Sequence, residues 1–565
     1  MFKRFLPTLL PGFALGVAIT GGLAVAGNSA GSASACPALE PSTSEVPSTT
    51  ADPAGRCAID AEAYVRNYEQ GEMDMQTTAM PSSSGDASSG VAAEAIEPLP
   101  PIVIDEPPGV LDDNTFVDSG DSLWVATADD RESTFALDVD TGSFNVAQTF
   151  LANGYRPEPD SIRVEEWVNA FSYGDALATD ADLAVTTESS ANGDDGTAIV
   201  RVGVTSRQLS DEARPPANIT FVIDTSGSMD IRERLGLVQS SLALLVRSLR
   251  TDDTIAIVTY GDSATPLLAP TPVAEWPRIV DAIDSLAPGG STNMEAGLML
   301  GYEAARDSFD PDALNVVVLA SDGVANQGVT DADVLTDEIT QAGDEGIRLV
   351  TVGYGMGNYN DQLMEQLADQ GDGFYSYVDT FHEAVELFVE NLTPTLTVVA
   401  EEAKIQVVFD DENVTRYRLI GYENRALDDD QFTDDTVDAG ELGAGHQASA
   451  LYEVELAPGA SADSVVADVR LRWRSTETGD VIEVDEPLTV DVDGDSSDSL
   501  RLATLVANTA EVLRGNSVVA ERGVTLEQLL VEAEELDADG VGGADEMVEL
   551  ITTAIHAEDP VPVED

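Results

Sequence analysis

Residues 217–230 read ANITFVIDTSGSMD. A run of apolar and β-branched side chains, Ile219 to Ile223, ends abruptly in Asp224. Such a run fits a buried strand. Asp224, Ser226 and Ser228 then follow at alternate positions, with Gly227 between the serines. Oxygen-bearing side chains in that pattern serve a polar turn or a helix N-cap. They serve a hard metal ion equally well. On the metal reading the serines point back to the ion and Gly227 lets the loop bend tightly around it.

The neighbouring sequence decides between turn and metal. From 217 to 394, short apolar runs (219–223, 254–260, 315–320, 348–354 and 374–378) alternate with amphipathic helical stretches. This predicts a mostly parallel, doubly wound sheet with helices on both faces. Ligands in such sheets gather beyond the carboxyl ends of the strands, at the point where strand order reverses. Asp322, in ASDG, ends the run 315–320, so it converges on Asp224 if those strands are neighbours. Between them comes PGGSTNMEAG (288–297), a Gly-rich turn opening a helix, with Thr292 positioned for the same crevice. Asp224, Ser226, Ser228, Thr292 and Asp322 are all hard oxygen donors. They suit Mg²⁺ above all, with Mn²⁺ or Ca²⁺ as alternatives, and disfavour zinc or copper. Mg²⁺ retains waters readily, which leaves a coordination position for a carboxylate from a partner.

On these residues the segment 217–394 resembles a von Willebrand factor A (vWA) domain. DTSGS matches the family's D-x-S-x-S metal-ion-dependent adhesion motif (MIDAS), Thr292 its threonine and Asp322 its second aspartate. The resemblance implies that Asp224, Ser226, Ser228 and Thr292 bind the metal directly or through water, with Asp322 acting through water. The flanks, STFALDVDTGSFNVAQTFLANGYRPEPDSIRVEEWVNAFSY and RYRLIGYENRALDDDQFTDDTVDAGELGAGHQASALYEVEL, are similar to an exported bacterial group of vWA proteins, sometimes labelled calcium-activated chloride-channel-like. The resemblance extends over 116–556.

The formal net charge of -77, with only Lys3 and Lys404 as lysines, excludes nucleic acid and anionic lipid as partners. A hydrophobic share of 43% argues for a folded chain, and the acidic surface suits a halophilic, high-salt setting. A chain of 565 residues requires several domains. Residues 1–35, with Lys3 and Arg4 ahead of an apolar stretch to Ala26, form a signal-peptide pattern with small-residue sites at 24–26 and 33–35. No later stretch reaches the roughly 18 apolar residues of a spanning helix, which argues against a channel-forming chain. Residues 36–115 read as a disordered, Ser/Pro-rich acidic tether, with a short helix at 61–75. Cys36 is a candidate for lipid attachment; alternatively, Cys36 and Cys57 pair in an oxidising compartment. The remaining divisions are a β-rich region at 116–216, a β-sandwich-like region at 395–495 and a helical region at 496–565. The β-rich flanks suggest that the vWA segment is inserted into a sandwich or packed on it.

Other motifs yield to plainer readings. DVDTGSF (138–144) lacks the second loop an aspartic protease needs and reads as a turn. HEAVE (382–386) has Glu386 where a zinc protease needs its second histidine, so it reads as a helix face. DVDGDSSD (491–498) departs from an EF-hand loop and reads as a linker. The acidic runs 428–435 and 534–540 read as solvated loops. His382, His446 and His556 pair with no nucleophile, so no hydrolase is visible. The expectation is a non-enzymatic exported protein of the cell envelope, at the cell surface or in the periplasm, lipid-anchored or secreted. It grips an acidic group of a protein partner through a divalent cation. The alternative is an accessory subunit of a membrane transporter or channel. Membrane association would come only through an N-terminal lipid anchor.

Overall fold

The computed structural model describes residues 55–67, 116–117, 120–191, 196–210, 213–230, 234–322, 332–355, 361–435, 437, 439–460, 464–490 and 496–559. The signal-peptide pattern, most of the tether, Cys36, positions 491–495 and the tail 560–565 lie outside the described residues.

A 3₁₀ turn, Arg56–Ala58, comes first, followed by a helical turn at 63–67. Strands β1 (Val125–Ala126) and β2 (Glu132–Ala136), helices α1 (Gly142–Ala152) and α2 (Val164–Asn169), and strands β3 (Leu183–Ala191) and β4 (Thr197–Ser206) follow. The α/β unit runs through β5 (Ala217–Asp224), α3 (Arg234–Ser248), β6 (Thr254–Tyr260), β7 (Ala264–Pro272), α4 (Trp276–Asp284), α5 (Met294–Asp307) and β8 (Leu314–Ser321). It continues with α6 (Ala332–Asp344), β9 (Ile347–Tyr354), α7 (Asp361–Asp369), β10 (Tyr375–Val378), α8 (Phe381–Val385) and α9 (Leu392–Leu396). Strands β11 (Val398–Phe409), β12 (Val414–Ile420), β13 (Ala426–Leu427), β14 (Gly440–Gly443), β15 (Gln447–Leu456), β16 (Ser464–Ser475) and β17 (Val481–Val490) come next. Helices α10 (Asp498–Arg514), α11 (Ser517–Arg522), α12 (Leu526–Asp539) and α13 (Ala544–His556) complete the order.

The central sheet has the order β10-β9-β8-β5-β6-β7. Its pairs are parallel except β6 with β7. Val222, Val317 and Leu319 face a core built with α5, α6 and α7, whereas Ile219, Phe221 and Ile223 face α3 and α4. Both faces are covered, which is why these strands read as continuous apolar runs. The strand β7 was not expected, because Pro266, Pro270 and Pro272 speak against it. Its place at the sheet edge removes the objection, since an edge strand can leave backbone donors out of the ladder.

The segments before and after this unit share their sheets. One sheet runs β1-β12-β15-β4-β3 and the other β13-β2-β11-β16-β17, with β14 on β11. Strands from both flanks therefore pair directly, β4 with β15 and β2 with β11, and the α/β unit is inserted into one sandwich. Strand β4 is buried on both faces: Val200, Val202 and Val204 enter the sandwich interior, and Ile199 meets the α2 and α10–α13 layer. Helix α1 is a further element absent from the expectation; DVDTGSF is the turn that leads into it. The expected single helix over 381–392 is α8 followed by a π-helical segment, Glu386–Glu390.

Within 36–115, read as a tether with a short helix at 61–75, residues 55–67 pack on the α/β unit, and the helical turn 63–67 falls inside the expected helix. Arg56 Nη1 donates to Val246 O (3.2 Å) and Leu249 O (2.6 Å) at the carboxyl end of α3, where exposed carbonyls and the helix dipole favour a cation. Ala61 enters the core and its carbonyl accepts from Ser240 Oγ at 2.8 Å. Cys57 is disulfide-bonded, and the sequence holds one other cysteine, Cys36. Among the described residues no helix is long and apolar enough to cross a membrane.

Candidate metal centre

Asp224 is the last residue of β5, and Asp322 directly follows its parallel neighbour β8. The chain leaves β5 for β6 on one side and returns to β8 on the other, so the crevice opens between these two strand ends. Both carboxylates are fully buried. Asp224 Oδ1 accepts from the Ser226 N–H at 2.7 Å, a local bond that turns the chain out of the strand. Asp224 Oδ2 accepts from Ser321 Oγ at 3.1 Å. Ser226 Oγ and Ser228 Oγ lie 2.9 Å apart and share a hydrogen bond.

The loop carrying Thr292 is stitched to the loop carrying the serines. The Gly289 N–H donates to Thr225 O at 2.6 Å, and the Gly227 N–H donates to Gly290 O at 3.1 Å. Thr292 itself is only 1% exposed. The glycine demanding special backbone is Gly290, with φ of 98°. Gly227 has no such demand: a Cβ there would meet Gly290 O at an ordinary 3.8 Å. The tight bend expected at Gly227 thus falls on the facing loop. Asp262 fastens that loop from outside, with Oδ1 accepting from the N–H (2.8 Å) and Oγ (2.6 Å) of Ser291.

Burial pushes the Asp224 carboxyl up to about 7, and the charge of Asp322 adds to the rise; bonds from Ser226 and Ser321 oppose it. Arg234 compensates the other side. Its Nη1 lies 2.8 Å from Asp322 Oδ2 and donates to Ser228 O at 3.3 Å, and the side chain is 2% exposed. One arginine therefore offsets one of two buried carboxylates.

The five expected residues come together at one sheet edge, and their donor set is two carboxylates and three hydroxyls. That set fits a hard divalent cation. Among the described residues no group of three or more His, Cys, Asp or Glu could hold a metal. This edge presents two such residues and completes its donors with hydroxyls. Sequence reasoning missed Arg234, Ser321 and Asp262. Arg234 carried a readable signal: it opens a helix whose residues Leu235 to Val246 are all buried, and an arginine at the head of so apolar a helix needs a carboxylate.

Three family models match the chain: "von Willebrand factor" over residues 111–194, "von Willebrand factor type A domain" over 218–391, and "Uncharacterized protein YfbK, C-terminal" over 394–556. The chain is 38% identical over 413 residues to "Uncharacterized protein YfbK" of Escherichia coli, covering 68% of this chain and 71% of that protein. It is 29% identical over 189 residues to a Synechocystis protein, "Uncharacterized protein sll0103", covering 34% of this chain and 44% of the relative. Among solved structures, a von Willebrand factor type A protein from Catenulispora acidiphila aligns with a TM-score of 0.39 at 15% identity, covering 67% of this chain and 91% of that one.

Proposed function

The chain belongs to the YfbK-like vWA proteins, and from that premise we propose that it is an exported cell-envelope adhesion or assembly protein that grips an acidic group of a protein partner through a divalent cation. A vWA domain supports a protein-interaction role. The finer reading rests on one observation: the β5 loop, the Thr292 loop and the end of β8 are joined by hydrogen bonds into a single oxygen-lined edge.

Asp224, Ser226, Ser228 and Thr292 would hold the ion, with Asp322 behind them. Mg²⁺ is the fitting species. When bound, it supplies an electrophilic centre for a partner's Asp or Glu. The charge balance favours such a ligand. Asp322 is paired with Arg234 and the hydroxyls are neutral, so only Asp224 offsets the double charge of the ion. The edge then carries a net positive charge towards an incoming carboxylate. We read the site as binding and not catalytic. Asp262, an acid beside the motif loops, is committed to Ser291, and His382, His446 and His556 lie outside these loops. Disulfide-bonded Cys57 supports export, because disulfides persist in oxidising compartments.

The test is partner capture from the native envelope in Mg²⁺, in EDTA, and with Asp224→Ala, alongside calorimetric titration of the purified protein with Mg²⁺. Capture and Mg²⁺ heat should both vanish in the variant. Equal capture in all three conditions would refute the reading.

A further inference from the structure

The floor beneath the metal edge holds a tyrosine. Asp224 is matched in register with Tyr260, the last residue of the parallel neighbour β6. Side chains two apart share a sheet face, so Asp224 lies on the face of Val222 and Ser321 on that of Leu319. Val222, Leu319 and Tyr260 belong to one core, so Tyr260 enters the layer under both Asp224 and Ser321. Its position is fixed. The Tyr260 carbonyl accepts from the N–H and Oγ1 of Thr225, both at 2.9 Å, which ties the end of β6 to the serine loop. The next carbonyl, Gly261 O, accepts from the Asn293 N–H at 3.0 Å, beside Thr292. The Tyr260 ring lies against Gly297 of α5. A Cβ there would meet ring atom Cδ1 at 2.6 Å, so the glycine lets the helix close on the ring.

The hydroxyl is less well served than the rest of the residue. Tyr260 is fully buried, and its Oη makes no well-formed hydrogen bond among the described residues. Yet it lies against Asp224 and Ser321, and the charge of Asp322 also reaches it. Burial, with the charge of Asp224 adding to it, pushes this hydroxyl well above its ordinary value, so it keeps its proton and can donate. A buried donor without an acceptor is costly. Asp224 Oδ2 accepts from Ser321 Oγ at 3.1 Å, and a carboxylate oxygen takes two donors. Tyr302 of α5 offers a contrast within the same core. Its hydroxyl is also buried without a well-formed bond, but the charges around it are Glu338, Arg306 and Asp372, none of them at the metal edge.

We propose that Tyr260 is a positioning residue of the metal centre: with the ion in place, its hydroxyl donates to the Asp224 carboxylate and, together with Ser321, holds that carboxylate as a ligand. The inference rests on the divalent-cation reading of this edge. A ligand whose second oxygen is held by hydrogen bonds keeps its orientation and gives up less freedom when the ion binds. The consequence is selective. A bond completed only in the loaded protein strengthens ion binding and adds nothing to the metal-free fold.

The experiment is calorimetric titration of the full chain with Mg²⁺ for the wild type, Tyr260→Phe and Tyr302→Phe. Thermal unfolding in EDTA and the tyrosine ultraviolet difference spectrum on adding Mg²⁺ are read alongside. Tyr260→Phe should weaken Mg²⁺ binding about tenfold. It should also abolish a Mg²⁺-dependent difference band that the wild type shows, while its midpoint in EDTA stays level or rises. Tyr302→Phe should keep both the affinity and the band. Undiminished binding by Tyr260→Phe beside a wild type that binds would overturn the inference alone, as would a band that survives the substitution. No binding by the wild type would overturn the metal reading and the inference together. An equal loss in Tyr302→Phe, or a lower midpoint of Tyr260→Phe in EDTA, would make Tyr260 a packing residue and overturn its positioning role.

Discussion

At the carboxyl edge of the α/β sheet, buried Asp224 and Asp322 have one arginine between them, Arg234 on Asp322. At the seam between that unit and the sandwich, Asp138, Asp140, Glu166 and Glu365 are buried with two, Arg163 and Arg425. Glu365 of α7 is gripped from both sides, by Arg163 Nη2 at 2.9 Å and Arg425 Nη2 at 3.2 Å, and Asn424 Nδ2 donates to it at 3.1 Å. Arg425 also reaches half-buried Asp369 at 2.9 Å. The guanidinium forks close the seam, because each planar group satisfies several acceptors at once. At the sheet edge the remaining acceptors are hydroxyls on short loops, and among the described residues Asp224 has no cation paired with it. Compensated carboxylates tie domains together; the uncompensated one beside hydroxyls is where we propose an ion binds.

The largest expected effect tests the structural half of that contrast. Arg425→Ala leaves Asp138, Asp140 and Asp369 without this arginine and Glu365 with Arg163 alone. Breaking a buried pair from one side costs about 3–5 kcal/mol. Urea unfolding followed by far-ultraviolet circular dichroism should show a midpoint reduced accordingly. A loss below about 1 kcal/mol would mean that the seam behaves as a surface ion pair.

A smaller effect concerns pH. Burial pushes Glu166 up to about 8, and Glu165 and Glu365 up to about 7, despite Arg163 beside Glu166 and Glu365. A carboxyl raised above its unfolded value favours the fold most when protonated. Its contribution is full below about pH 4.3, the unfolded value, and is lost as pH rises through the folded pKa values of about 7–8. The thermal midpoint should therefore fall between about pH 5 and pH 8, and Glu166→Gln should flatten part of that decline. An unchanged slope in the variant would assign the decline to self-repulsion of a chain with net charge -77.

Much of the sheet edge was legible because its information is local. A strand ending in Asp224, two alternate serines, a Gly-Gly turn before Thr292 and an Asp after the next apolar run are each readable in a few residues, and the strand order joins them. The seam was not legible for the opposite reason. Arg163, Glu365 and Arg425 are far apart in sequence, sit in no motif, and meet only because one sandwich is built from both flanks. Strand β7 was hidden by prolines that only an edge position excuses, and α1 by a DTGS stretch that reads as a turn until the helix behind it is seen. Arg56 and Ala61 lay in low-complexity surroundings whose composition outweighed them.

The smallest expected effect bears on the functional half. Asp224→Asn keeps the shape of the side chain and can still accept the Ser226 N–H that turns the chain out of β5. Ser321 Oγ, which donates to the other oxygen, can accept from the new amide by rotating its hydroxyl. The substitution also removes a buried negative charge that repels Asp322. In the metal-free protein these changes nearly cancel, and the unfolding free energy should move by less than about 1 kcal/mol. Binding of Mg²⁺, read by calorimetry, should nonetheless disappear, because the uncompensated charge is gone. A variant that unfolds with Arg425→Ala-like severity would show that Asp224 holds the fold as the seam does, and the division between ion-holding and domain-tying carboxylates would fail at its clearest point.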